Sequence, residues 1–216
     1  MYSFASYGRI NRKVILYRDP SGVKPLYYSD ASDFIFASEI KSIRHLFGAA
    51  ATIHECVLKS YLALGYCVEP FSIYHEVKSV EPGDCIEINL DSKSIVTHKI
   101  RKFDFRKSNP LSQAQNTDRL NAQLDIAMER NLVADVPVNF ALSGGIDSSL
   151  LFAKGHRDDN LAIVVKFNDS AYDETSVAQL YANYLNAKLK IINADRSNNN
   201  LELLNRILHQ MDQPYA

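Results

Sequence analysis

The chain has 216 residues, 46% hydrophobic and 23% charged, with a formal net charge of −1. That length suits one large domain or two small ones, and the balanced charge argues against nucleic acid as a partner. No apolar run approaches the roughly 20 residues of a membrane span, the opening residues Met1 to Tyr7 lack the basic region and long apolar core of a signal peptide, and three widely spaced cysteines (Cys56, Cys67, Cys85) suit a reducing cytoplasm better than a disulfide framework.

Residues 1 to 38 read as a β meander. Strands are expected at Ser3 to Tyr7, Lys13 to Arg18, Leu26 to Ser29 and Phe34 to Ser38, rich in aromatic and β-branched residues. Asp19-Pro20-Ser21-Gly22 fits a type I turn between the second and third. Glu39 to Phe47 and His54 to Leu64 carry apolar residues at helical spacing, and Gly65 stops the second. Asp84 to Leu90 and Ser94 to Phe103 form an expected hairpin around Asp91-Ser92-Lys93.

The polar, aperiodic run from Asp104 to Leu111 marks a boundary. Beyond it the pattern changes. A long amphipathic helix is expected over Ser112 to Leu132. Strands at 138–142, 161–167 and 189–194 then alternate with helices at 148–154, 175–187 and 201–211. Such alternation implies a parallel sheet covered on both faces, with ligands at the carboxyl ends of its strands. The organisation expected is 1–50, a connecting region at 51–111, and 112–216.

At the end of the strand over 138–142 stands Ser143-Gly144-Gly145-Ile146-Asp147-Ser148-Ser149. Glycines can take backbone angles that a Cβ forbids and let a ligand come close to the main chain. The N–H groups that open a helix lack intrahelical partners, so a strand, a Gly turn and a helix start make an anion site. The stretch fits neither G-x-x-x-x-G-K-[ST] nor G-x-G-x-x-G. Asp147 would repel a bound phosphate without a cation between them, which makes it a candidate Mg²⁺ ligand beside a departing pyrophosphate. The competing reading is a plain Gly turn with Asp147 or Ser148 as helix cap. The six histidines show no metal-ligand spacing and read as structural or solvated. Cys56, Cys67 and Cys85 read as buried small apolar residues. Asp173 and Glu174 read first as helix caps, and Asp212 equally as a solvated residue or a site residue.

Ser143-Gly144-Gly145-Ile146-Asp147-Ser148 resembles the S-G-G-x-D-S pyrophosphate loop of the N-type ATP pyrophosphatases. Other stretches narrow the resemblance to glutamine-dependent asparagine synthetases. Arg18-Asp19-Pro20-Ser21-Gly22-Val23-Lys24-Pro25-Leu26-Tyr27-Tyr28 and Phe36-Ala37-Ser38-Glu39-Ile40-Lys41-Ser42 are similar to segments of that family's class II glutaminase domain. Tyr61 to Tyr66 and Val80 to Asp84 are similar to its connecting region. Ala134 to Val138, Tyr172-Asp173-Glu174 and Met211 to Ala216 are similar to its synthetase domain.

The resemblance implies an α+β antiparallel sheet remnant of class II glutaminase type. An α/β parallel sheet of the N-type ATP pyrophosphatase (adenine nucleotide alpha hydrolase-like) type follows it. It implies ATP and Mg²⁺ as cofactors, with Leu142, Ser143, Gly144, Gly145, Asp147, Ser148 and Val165 at the ATP and Asp147 at the metal. It implies an amidoligase that adenylates a carboxylate, aspartate's in the first place, and amidates it with ammonia from glutamine. Its partners are then these small molecules, with neither nucleic acid nor membrane. The expected location is cytoplasmic, and a homodimer is the assembly considered.

The departures are also specific. The family's glutaminase uses an N-terminal cysteine as nucleophile, whereas position 2 here is Tyr2 and no cysteine precedes Cys56; Lys166 stands where the family usually has glycine beside the adenine, and Gln213 where an acidic residue is usual. No catalytic residue carries over for glutamine hydrolysis, and the family's second Ser-Gly acidic loop would lie past Ala216. A partial chain is therefore expected. The alternatives are a related amidotransferase for another acceptor, as in polysaccharide or antibiotic synthesis, and an inactive truncated fragment.

Overall fold

The computed structural model describes residues 1–31, 33–48, 51–100, 110–168, 173–194 and 200–214. Two compact units emerge, one from Met1–Lys107 with Asn199–Ala216 and one from Ser108–Asn198.

The first unit holds β1 (Ser3–Gly8), β2 (Lys13–Arg18), β3 (Tyr27–Ser29), β4 (Ile35–Ala37), α1 (Ile40–Phe47), α2 (Glu55–Leu64), β5 (Lys78–Ser79), β6 (Asp84–Asn89) and β7 (Ile95–Lys99). The strands and helices expected from the sequence form, but the meander does not run on as one sheet. β1 and β2 join β6 and β7 in the order β1-β2-β6-β7, whereas β3 pairs with β4 and β5 in a separate sheet. The split has a cause at the turn between β2 and β3.

Arg18 and Asp19 are both buried. Asp19 accepts backbone N–H bonds from Tyr2, Ser21, Val23 and Lys24. Arg18 donates to the carbonyls of Gly22, Lys24 and Val80 and to Glu69. Gly22 closes the expected turn on the Asp19 carbonyl at 2.9 Å and takes a φ of 64°, a conformation that favours glycine. This knot carries the chain away from β2 before β3 begins. The Asp84–Asn89 and Ile95–Lys99 hairpin forms as expected; the part of it placed at 101–103, and most of the 104–111 boundary, lie outside the described residues. α2 stops at Gly65 in the left-handed conformation, as its composition predicts. Leu16, Leu26, Val80, Ile86 and Ile88 form one core cluster, and Ile40, Ile43 and Val77 another. α6 (Asn200–Gln210) is grouped with this unit.

The second unit holds α3 (Gln113–Asn131), β8 (Phe140–Ala141), α4 (Ile146–Gly155), β9 (Leu161–Lys166), α5 (Thr175–Tyr184) and β10 (Lys188–Asn193). Ser112 caps α3 in a reciprocal capping box with Gln115. The three strands are parallel, in the order β10-β9-β8. Leu142, Phe152, Ala162, Val164 and Ala178 form the core between β9 and the helices α4 and α5.

The expectation that helices cover both faces is not met among the described residues. Strand order advances in one direction from β8 to β10, and right-handed crossovers then put each connecting helix on the same side. Alternation along β9 leaves Val165 on the opposite face, level with Ile192 of β10, and each is 43% exposed.

Candidate nucleotide-phosphate site

β8 is only two residues long, so side chains secure the approach to the loop. Asn160 is buried and donates to the Val138 carbonyl at 2.6 Å while accepting the N–H of Arg157. Asn139 accepts the N–H of Leu161 at 2.9 Å. At the other end Leu142, which is buried, donates to the Ile163 carbonyl at 2.8 Å and continues the ladder beyond β8. Gly155 lets α4 close down: a Cβ there would stand 2.4 Å from the Met128 methyl and 2.6 Å from the Phe140 ring. The strand, the loop and α4 thus form one braced turn.

The loop is organised by two hydroxyls. Ser143 Oγ and Ser148 Oγ lie 2.8 Å apart, and Ser148 Oγ accepts the Ser143 N–H at 3.2 Å. The Ser148 hydroxyl also lies 3.1 Å from the carbonyls of both Ser143 and Gly145. Ser149, which is buried, donates to the Gly145 carbonyl at 2.8 Å. α4 begins at Ile146, two residues earlier than its apolar pattern predicts. Asp147 therefore sits in the first helical turn, exposed. Among the described residues the N–H groups of Gly144, Ile146, Asp147 and Ser148 have no acceptor. A row of free donors at a helix start favours an anion.

No unusual backbone angle requires either glycine of the loop. Neither takes a positive φ, and Gly145, as helix cap, has φ −76° and ψ 151°. The expected reliance on angles closed to other residues is thus corrected. A Cβ on Gly144 would come 3.4 Å from Glu174 Oε1 and 3.5 Å from Val177 Cβ. The loop therefore runs beside the start of α5, and its bare Cα atoms leave the space next to the free N–H groups open.

The residues expected at the site are brought together in part. Leu142, Ser143, Gly144, Gly145, Asp147 and Ser148 are contiguous around the β8–α4 turn. Val165 lies near the carboxyl end of β9, one residue past Val164, which the strand register sets level with Leu142. Asp173 behaves as a capping residue: its carboxylate accepts the Thr175 N–H at 3.1 Å and the Thr175 hydroxyl. Those bonds, helped by the charge of Lys166, hold its carboxyl below the usual range. Glu174 makes no such bond. Tyr172, Tyr215 and Ala216 lie outside the described residues.

Two of the three cysteines are buried as expected, and burial pushes the thiols of Cys67 and Cys85 up; Cys56 is exposed, contrary to expectation. Asn160 carries no signal in the sequence, since its Asp158-Asp159-Asn160 setting looks like any polar loop. In the first unit, Lys41, Arg44, Tyr61, Tyr74 and His209 help line a cavity of about 470 Å³, to which the loop contributes no residue. Among the described residues no cluster of three or more histidine, cysteine or carboxylate groups could hold a metal by itself. The exposed carboxylate of Asp147 could serve as the one protein ligand of a Mg²⁺ ion that draws its other oxygens from phosphate and water.

Comparison with known proteins adds two domains. Residues 1–100 match the family model described as a glutamine amidotransferase domain, and residues 119–216 match the one described as asparagine synthase. Asparagine synthetase [glutamine-hydrolyzing] 1 of Bacillus subtilis is 30% identical over 225 residues, covering all of this chain and 34% of that protein. Asparagine synthetase [glutamine-hydrolyzing] 3 of the same organism is 30% identical over 167 residues, covering 72% of this chain and 26% of that protein. A relative from Mycobacterium tuberculosis is 27% identical over 226 residues, again covering all of this chain and 34% of its own. The chain spans about a third of the length of the curated relatives it matches. With the two domain models matched in succession along the chain and the Bacillus subtilis relative aligned over all of it, the chain belongs to the asparagine synthetase family.

Proposed function

We propose that the Ser143–Ser149 turn binds the pyrophosphate end of ATP, and that the chain serves an ATP-dependent amidoligase. In that reaction a carboxylate, aspartate's β-carboxylate first among candidates, attacks the α-phosphorus and pyrophosphate leaves. Ammonia from glutamine then displaces AMP from the acyl-adenylate. The single observation that carries the reading is the row of unpaired N–H groups at the start of α4, held in place by the Ser143–Ser148 hydroxyl pair. Preorganised donors aimed where charge gathers lower the barrier to its development.

Leu142, whose side chain is buried, would offer the adenosine its backbone, and Val165 its backbone and exposed side chain. Ser143, Gly144, Gly145 and Ser148 surround the phosphates, and Asp147 would hold Mg²⁺. A bound Mg²⁺ would neutralise charge on the leaving pyrophosphate. The division proposed is a glutaminase part at 1–50, a connecting part at 51–111 and a synthetase part at 112–216; the glutamine amidotransferase match, over 1–100, runs past the first of these boundaries. The small-molecule partners are ATP, aspartate and glutamine or ammonia, with a homodimer as assembly and the cytoplasm as location. Among the described residues no helix is long and apolar enough to cross a membrane.

Isotope exchange between labelled pyrophosphate and ATP tests the reading. Exchange should depend on Mg²⁺ and on a carboxylate acceptor, and Asp147→Ala should abolish it. Exchange that survives Asp147→Ala would remove the metal role. Exchange supported by another carboxylate and not by aspartate would move the chain to a different acceptor.

A further inference from the structure

The loop contains no lysine, yet the space beside it is crowded with carboxylates. Asp147 stands in the first turn of α4, Glu174 comes within ordinary contact of Gly144, and Asp173 precedes α5. One described cation reaches the same end of the sheet. Lys166 is the last residue of β9, the central strand, and is exposed.

The ladder gives its position. Ala141 is level with Ile163, and Leu142 continues the pairing through its N–H bond to the Ile163 carbonyl. Three residues on, Lys166 stands at the level of Gly144. Its carbonyl accepts the Ala194 N–H at 2.9 Å, which fixes the strand end from the β10 side. Every second residue along a strand shares a face. Lys166 shares one with Ala162 and Val164, which are buried in the core with α4 and α5. That face carries the starts of both helices, so Lys166 sits between them at the carboxyl end of the middle strand, where ligands of parallel sheets bind. Its charge is felt by Asp173, whose carboxylate is otherwise occupied by Thr175.

We propose that Lys166 is the cationic partner of the nucleotide's triphosphate, reaching it from β9 across the gap from Gly144. The inference rests on the nucleotide reading above. It assigns to β9 the charge that the loop between β8 and α4 does not itself provide. An ammonium is a compact point charge on a flexible stem, suited to following a phosphate as pyrophosphate separates.

Calorimetric titration of the 216-residue chain with Mg·ATP, and separately with adenosine, tests it, using Lys166→Met and Lys166→Arg. Lys166→Met should weaken ATP by about tenfold or more, the usual scale for losing a charged hydrogen bond. It should leave adenosine unchanged, and Lys166→Arg should recover most of the loss. ATP affinity equal in the wild type and Lys166→Met overturns the inference and leaves the nucleotide reading standing. Equal losses for ATP and adenosine make Lys166 structural and also overturn it. A wild-type chain with no saturable ATP binding overturns the nucleotide reading and this inference together.

Discussion

The carboxylate of Asp212 accepts the N–H of Ile40 at 2.7 Å and that of Lys41 at 3.4 Å. These are the first two N–H groups of α1, whose own cap residue, Glu39, makes no side-chain bond to the helix. A residue 172 positions away therefore supplies the cap, and the Lys41 ammonium lies 3.9 Å from the same carboxylate. A carboxylate at a helix N-terminus satisfies two orphan donors and meets the positive end of the helix dipole.

Asp212→Ala should cost about 1 kcal/mol, the typical loss for a cap, measured as a shift in urea midpoint. Hydrogen exchange should quicken at Ile40 and Lys41 before other amides of α1. Asp212→Asn should retain part of the cap through its remaining carbonyl. Unchanged exchange at Ile40 in Asp212→Ala would refute the capping role.

What the sequence shows of this molecule divides along chain distance. Local devices were legible: the Asp19–Gly22 turn, the Gly65 stop and the Ser143–Ser149 turn each rest on residues within a few positions of one another, whereas the Ser112–Gln115 capping box, equally local, was not read. The pairing of β2 with β6 was not, because its partners, such as Leu16 and Ile86, lie far apart in the chain. Asp212 could not be placed because its partners are in a helix near the opposite end of the chain. At the site, residue types announced an anion cradle, but the geometry changed the reason for the glycines. They are small where the backbone is ordinary, a distinction that no residue name carries.

Ser148 Oγ accepts the Ser143 N–H and lies 3.1 Å from the carbonyls of Ser143 and Gly145, which compete for its one proton. Ser148→Ala leaves the half-buried Ser143 N–H unpaired. It should cost about 1 kcal/mol in stability and a larger factor in ATP–pyrophosphate exchange, since the free N–H row loses its anchor. Ser148→Thr keeps the hydroxyl and should keep most of the exchange. Equal exchange in wild type and Ser148→Ala would show that the loop does not need this latch.

Gly155 poses a contest of two effects. Alanine is the better helix former by about 1 kcal/mol. At this position its Cβ would meet the Met128 methyl at 2.4 Å and the Phe140 ring at 2.6 Å, and overpacking costs about 1–3 kcal/mol. The Met128 end can swing away, but Phe140 is held on β8 and packs edge-on to Phe152, ring centres 5.4 Å apart. Crowding should win. Gly155→Ala should lower the thermal midpoint, and the Gly155→Ala/Met128→Ala pair should be more stable than the sum of the two single changes predicts, a positive coupling. A higher midpoint in Gly155→Ala would mean that propensity outweighs contact.

Asp19 ties acid stability to a named carboxylate. Burial acts to raise its pKa, but N–H bonds from Lys24, Val23, Ser21 and Tyr2 outweigh that and hold it below the usual carboxylate range. The folded state therefore binds the proton more weakly than the unfolded chain does. Its contribution is fully present above the unfolded value, about pH 4, and is lost as pH falls through the lower folded value. Asp19→Asn removes this titration and replaces one carboxylate oxygen by an NH₂ that cannot accept. It should destabilise by about 2 kcal/mol at neutral pH, where a charged acceptor is lost from buried donors. The gap between wild type and Asp19→Asn, followed by urea denaturation from neutral pH downward, should stay constant to about pH 4 and then narrow. A gap that stays constant throughout the acid range would show that some other group carries the acid sensitivity.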